Sequence, residues 1–263
     1  MTAFPVLARL RAGQPVFAAT LSTPSPEAAA HLATLGFHLL WTEMEHSPIT
    51  LESLRNIVLA TRGLPAQLFA RVPMNELWQA KRVLDQGVSG VIFPFTTSAE
   101  LARRAAAACH YPPAGRRGSG AGAAVRTWPE AGNYYDSADR NMTVVCVIEE
   151  AAALDEIDEI AATEGIDVLF IGTSDLSFSL GLRGRQDEPR LQAAIDRIVD
   201  AAQRNGKFLG RPAATPADIQ RYIQQGFLFF QLPTEIGLME LGARALLDPL
   251  GCPGVPPSER PLY

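Results

Sequence analysis

Eight short apolar segments, each followed by an amphipathic helical pattern that in most cases stops at a glycine, predict an α/β fold of the (β/α)8 TIM-barrel type. Three observations carry that reading. The apolar segments mostly lack polar alternation, as expected of parallel strands buried on both faces. Several of the helical segments open on Ser, Thr or Pro and most close on Gly, the asymmetry that helix termini favour. Eight such units within about 250 residues match the size of a TIM barrel. A doubly wound open sheet would more often hold roughly five to seven strands, and no glycine fingerprint for a dinucleotide follows the first segment.

The units run in order along the chain. "VFAAT" (16–20) precedes "SPEAAAHLATLG", with Pro26 at the first helical position and Gly36 at the stop. "HLLW" (38–41) precedes "TLESLRNIVLATRG", which runs from a threonine cap to Gly63. "QLFAR" (67–71) leads to "NELWQAKRVLDQG", ending at Gly87, and "GVIFP" (90–94) to "SAELARRAAAAC". "VVCVI" (144–148) is followed by "ALDEIDEIAATEG", ending at Gly165. After "VLFI" (168–171) comes a helix to Gly206, in which Leu191, Ala194, Ile195, Ile198 and Ala202 form one stripe. "FLGR" (208–211) precedes "TPADIQRYIQQG", with Thr215 as cap, Pro216 at the first position and Gly226 at the end. "LFFQ" (228–231) leads to the apolar helix "EIGLMELGARALLDPL". Residues 1–250 are thus expected to form one barrel, and 251–263 a proline-rich tail. The stretch 111–139, long for a connection in a compact domain, reads as an active-site loop.

Composition excludes several classes. A net charge of −5 argues against a nucleic-acid binder, which would show a basic face. No apolar run approaches the roughly 18–20 residues that span a bilayer. The N-terminal "MTAFPVLARLRAG" lacks a signal-peptide core. Cys109, Cys146 and Cys252 are odd in number and scattered, so neither a disulfide framework nor a thiolate zinc site is expected. A cytoplasmic protein without membrane or nucleic-acid partners is the plain expectation.

TIM-barrel chemistry sits where strands end. After strand two come Glu43, Glu45 and His46, three ionisable groups at the end of an apolar run, where they are costly unless they share a task. Strand three ends at Arg71, strand five at Glu149 and strand seven at Arg211. Strand six leads into "GTSDLS", which carries Asp175. Glu149 and Asp175 come from adjacent units, so their carboxylates can converge on one hard cation. Oxygen-only ligation suits Mg2+ or Mn2+ better than structural zinc. Arg71 could face an anion bound there. His46 is the one histidine at a strand mouth. Read alone, Asp175 could be a helix cap and Arg71 a structural ion pair; their gathering on one rim favours catalysis.

The stretches "EMEHSP" (43–48), "RVPMN" (71–75), "KRVLDQG" (81–87), "YPPAGRRGSG" (111–120), "IEE" (148–150) and "GTSDLS" (172–177) resemble, in order and spacing, the HpcH/HpaI aldolases. The resemblance is distinctive to about residue 180. It implies a class II aldolase that forms the enolate of pyruvate or a related 2-oxo acid and adds it to an aldehyde, or cleaves a 4-hydroxy-2-oxo acid in reverse. It implies a divalent cation (Mg2+, Mn2+ or Co2+) on Glu149 and Asp175, with backbone amides from Thr173 through Ser174 to Asp175 holding the substrate carboxylate. Arg71 would stabilise the enolate oxygen, His46 would move protons with Asp85 as its dyad partner, and Glu43 and Glu45 would orient waters around the cation. No Schiff-base lysine is called for; the chain has only Lys81 and Lys207. The family also implies a homo-oligomer exchanging a helix, with which the apolar C-terminal helix is compatible.

Departures from the family pattern are Glu43 where Asp is usual and Val147 where Gln is usual two residues before the metal-binding acid. The glycine-rich loop is shorter, with Arg126 as a candidate for its arginine. Arg211 and "QLPTEIG" are also unusual, and these changes are expected around the aldehyde pocket. An oxaloacetate-type decarboxylase or another enolate carbon–carbon synthase would use the same residues, and a non-catalytic oxo-acid-binding barrel is a third alternative.

Overall fold

Eight parallel strands pair in chain order and close, with the eighth against the first. The structure is a computed structural model describing residues 5–128 and 132–252. The strands are β1 Val16–Leu21, β2 Leu39–Glu43, β3 Gln67–Arg71, β4 Gly90–Phe93, β5 Thr143–Ile148, β6 Val168–Ile171, β7 Phe208–Pro212 and β8 Phe227–Thr234. Each apolar segment read from the sequence falls in its strand to within one residue. The helices begin with α1 Pro5–Arg11, α2 Pro26–Leu32, α3 Leu51–Thr61, α4 Leu77–Gln86, α5 Ala99–Cys109 and α6 Gly122–Thr127. They continue with α7 Tyr134–Asn141, α8 Ile157–Ala162, α9 Thr173–Ser179, α10 Pro189–Arg204, α11 Pro216–Gln224 and α12 Glu235–Leu247. Among the described residues, no helix is long and apolar enough to cross a membrane.

The strand period of two sorts the buried apolar strand residues into two cores. Val16, Ala18, Leu39, Trp41, Phe69, Ile92, Val145, Val147, Val168, Phe170 and Phe229 point inward and fill the barrel. Their neighbours, such as Leu40, Leu68, Val91, Cys146 and Leu169, point outward beneath the helices. The inner rings need glycine opposite them: a Cβ on Gly90 would lie 2.5 Å from the Phe69 ring, and one on Gly210 would lie 2.7 Å from Phe170. Each such buried ring contributes roughly 1.5–3 kcal/mol.

Hydroxyl caps start five of the described helices, Thr50 and Thr215 being those the sequence places. Ser25, Thr50, Ser98, Thr215 and Thr234 each accept an N–H from the first turn, an interaction worth about 1 kcal/mol. Helix α1 closes the N-terminal mouth. Its Val6 and Leu10 join the inner core, and the Val6 N–H donates to Gln67 Oε1 at 2.9 Å.

The long connection between α5 and β5 is less irregular than expected. It carries α6 and α7. Arg117, within "GRRG", is fully buried there. At the other end of the chain, α12 leaves Ile236, Met239, Leu241 and Leu246 largely exposed. The expected tail lies, beyond Cys252, outside the described residues.

Candidate active site

Glu43, Arg71 and Glu149 each follow an inward core residue (Trp41, Phe69, Val147) by two positions, so strand alternation carries them into the C-terminal mouth. Glu43 and Arg71 are also register partners across β2 and β3. Both are buried, so their charges must satisfy each other.

Glu43 is the hub. Its Oε1 accepts the backbone N–H groups of Glu45 at 2.8 Å and His46 at 3.0 Å, which folds "EMEH" over the end of the strand. Its Oε2 accepts Arg71 Nε at 2.6 Å and the Trp41 indole N–H at 3.3 Å. The Ser47 hydroxyl donates to the Glu43 carbonyl and tightens the same turn. Glu45 Oε2 lies 3.2 Å from Arg71 Nε and 3.7 Å from His46 Nε2, and accepts no conventional hydrogen bond. Glu43 and Glu45 therefore converge on one guanidinium, with the His46 ring beside Glu45 and more exposed than it.

Glu149 stands just past β5. Its Oε1 accepts the Phe95 N–H at 2.7 Å. Phe95 adopts φ 49°, a left-handed conformation that non-glycine residues seldom take and that costs on the order of 1–3 kcal/mol. Strain of this kind gathers at functional sites. On the opposite side Gly172 makes room: a Cβ there would lie 2.8 Å from Glu149 Cβ and 3.0 Å from Oε2. Asp175 is not at a strand end but in the first turn of α9, whose leading residue Gly172 gives no side-chain cap.

Electrostatics tie these acids together. Burial pushes Glu45 and Glu149 up to about 7; Arg71 opposes this at Glu45, and the Phe95 N–H and Arg71 oppose it at Glu149, while Glu43 and Asp175 add to it at Glu45 and Glu45 and Asp175 at Glu149. Glu45, Glu149 and Asp175 thus feel one another's charge, which a single guanidinium does not neutralise, and carboxylate oxygens are the donors a hard cation takes. Among the described residues no three His, Cys, Asp or Glu side chains are grouped to hold a metal ion. Glu149 and Asp175 would therefore leave most coordination positions to water and substrate oxygens, as Mg2+ accepts.

Asp85 does not join this group. It sits in the last turn of α4, which leads from the C-terminal mouth back to the start of β4. His46 follows β2 at the opposite mouth, so one chain does not assemble the expected dyad. The nearest charged partner of Asp85 is Arg117, with Nη2 at 4.0 Å, and burial raises the Asp85 carboxyl against the pull of Arg117 and Lys81.

Arg117 is the residue that the sequence reading did not single out. Its guanidinium lies 4.6 Å from the Tyr111 ring centroid and donates to Tyr134 Oη at 3.0 Å. The signal for it was present in the "YPPAGRRG" motif. Arg126, the candidate for the arginine of the glycine-rich loop, is exposed on α6. Arg211 also needs correcting. Gly210 points inward, so Arg211 points outward and stacks 3.5 Å from the Tyr222 ring centroid, away from the barrel interior. Lys207 Nζ donates to the carbonyls of Thr163 and Ile166.

Residues 20–240 match the HpcH/HpaI aldolase/citrate lyase family. The chain is 34% identical over 224 residues to the 5-keto-4-deoxy-D-glucarate aldolase of Escherichia fergusonii, covering 85% of this chain and 88% of that protein. The enzyme of the same name from Salmonella arizonae matches over the same span at the same identity. Among solved structures, a HpcH/HpaI aldolase/citrate lyase family protein from Burkholderia cenocepacia J2315 superposes with a TM-score of 0.86 at 29% identity, covering 95% of this chain and all of that one.

Proposed function

The chain belongs to the HpcH/HpaI aldolase/citrate lyase family, whose aldolases are carbon–carbon lyases, and on that premise we propose that it is a divalent-metal-dependent class II aldolase acting through a 2-oxo acid enolate. The observation that carries the proposal is Arg71, clamped by Glu43 and Glu45 near Glu149, with burial raising the carboxyls of Glu45 and Glu149. Both ion pairs of Arg71 run through Nε. Its terminal nitrogens are thereby left for an oxygen on which negative charge develops.

Glu149 and Asp175 would hold the cation, Mg2+, Mn2+ or Co2+. When bound, such an ion acts as a Lewis acid that makes the protons beside the keto group removable. The amides from Thr173 through Ser174 to Asp175 hold the substrate carboxylate. His46, exposed at the mouth and tethered through its backbone to Glu43, transfers the proton. A dyad between His46 and Asp85 requires a neighbouring subunit to bring its Asp85 to this mouth. The exposed apolar face of α12 supports a homo-oligomer with an exchanged helix. A cytoplasmic location accords with the three unpaired cysteines.

The substrate class is a 4-hydroxy-2-oxo acid, cleaved to pyruvate and an aldehyde. 5-Keto-4-deoxy-D-glucarate, on which the relatives act, fits: numbered from its keto end it is a 2-oxo acid with a hydroxyl at carbon four. The test is pyruvate release from that compound with Mg2+, Mn2+ or Co2+ and with chelator, alongside oxaloacetate. Cation-dependent pyruvate and aldehyde formation is expected. Turnover of oxaloacetate alone would replace the aldolase reading with a decarboxylase.

A further inference from the structure

We propose that Trp41 is a positioning residue for this reaction: its indole N–H fixes Glu43, and Glu43 aims Arg71. The proposal rests on the reading above, in which Arg71 faces the enolate oxygen. Trp41 is fully buried on the inward side of β2, one layer below Glu43. Its ring is wedged between Phe170, centroid at 5.0 Å, and Phe229 at 6.4 Å, so it is held from below. The indole N–H and Arg71 Nε meet the same oxygen, Glu43 Oε2, at 3.3 and 2.6 Å. The guanidinium carbon lies 5.8 Å from the indole centroid, within cation–π range.

Glu43 has no acceptor capacity to spare. A carboxylate offers about four lone-pair sites, and here Oε1 takes two backbone amides while Oε2 takes the indole and the guanidinium. An Asp at this position, shorter by about 1.5 Å, could not reach down to the indole while also holding the amides of Glu45 and His46. Glu43 and Trp41 are therefore a matched pair. Val147 belongs to the same adjustment: it is register-paired with Phe170, against which the indole packs, so the barrel interior here is apolar and filled. With the indole removed, Oε2 loses the donor that fixes it, and Arg71 loses its aim. Since Arg71 acts on developing charge, the loss falls on the chemical step more than on substrate binding.

The experiment is a double-mutant cycle of Trp41→Phe and Glu43→Gln, read as kcat and KM for cation-dependent cleavage of the 4-hydroxy-2-oxo acid. Trp41→Phe is expected to lower kcat by ~10-fold or more, the effect of losing a hydrogen bond to a charged group. KM should stay within about 2-fold, because binding rests on other groups. In the Glu43→Gln background the same change should cost much less, since the indole acts through Glu43. Additive losses, or an unchanged kcat, would overturn the proposal. If Trp41→Phe does not fold, Glu43→Asp tests the pair from the acceptor side in a Trp78→Phe, Trp128→Phe background, where Trp41 is the sole tryptophan. A lower kcat together with shifted Trp41 emission is expected; lost activity with unmoved emission would overturn it. A wild-type protein with no cation-dependent cleavage would instead overturn the functional reading, and this proposal with it.

Discussion

The two mouths of the barrel obey the same alternation of residues and fill it with opposite chemistry. At the N-terminal mouth the inward positions carry no charge, Gln67 bonds the Val6 N–H, and α1 adds Val6 and Leu10 as a plug. At the C-terminal mouth the same alternation delivers Glu43, Arg71 and Glu149, with Glu45 and Asp175 beside them. One end is built for stability. The other carries repelling acids, a left-handed Phe95 and buried charge, features that cost stability and make sense only in a site.

The contrast can be broken from either end. Replacing Arg71 by Lys keeps the charge but not the fork held by Glu43 and Glu45; kcat should fall by ~10²–10³-fold, as for the loss of an oxyanion donor. Steady-state kinetics would check this, and a change confined to KM would contradict the role. At the other mouth, Leu10→Ala should destabilise by about 2–5 kcal/mol in urea unfolding, with kcat unchanged while the protein is folded. A catalytic defect there would show that the mouths are not independent.

The acids also predict a pH signature. Glu45 and Glu149 titrate near 7 in the folded chain against 4.5 for the ordinary group. Between those values the folded state holds protons that the unfolded state has released, so stability without metal falls as pH rises through the window and levels off above it. A cation that binds the ionised acids opposes this loss. The rise in Tm on adding Mn2+ should therefore grow from about pH 5 to about pH 8. A flat Tm profile without metal would show that the acids are not crowded. The smallest effect belongs to Arg126→Ala, which should leave kcat/KM within about 2-fold, as exposed substitutions usually do.

Much of this was legible in the sequence, for identifiable reasons. Strands buried on both faces appear as unbroken apolar runs, so all eight could be located. Fixing those runs also fixed the end positions, and with them Glu43, Arg71 and Glu149. What escaped depended on direction and on the return path of helices. Arg211 stands next to last in its strand, but the inward Gly210 gives it the opposite parity to Arg71, and it stacks on Tyr222. Asp85 and His46 both lie near strand units in sequence, yet α4 carries Asp85 to the far mouth. Arg117 hid in a glycine-rich stretch whose short α6 and α7 leave little periodicity to read. Glu43 is legible as a departure from the usual Asp, but its bond to the Trp41 indole beneath it depends on the fold.

The central claim is that this mouth makes an enolate, and proton–deuterium exchange at the pyruvate methyl in D2O tests it without knowledge of the aldehyde. Wild type with and without Mg2+, Mn2+ or Co2+ would be followed by NMR beside Glu149→Gln and His46→Ala. Fast exchange that requires the cation and disappears in Glu149→Gln is the predicted result. Cation binding without exchange, under every metal, would contradict the account.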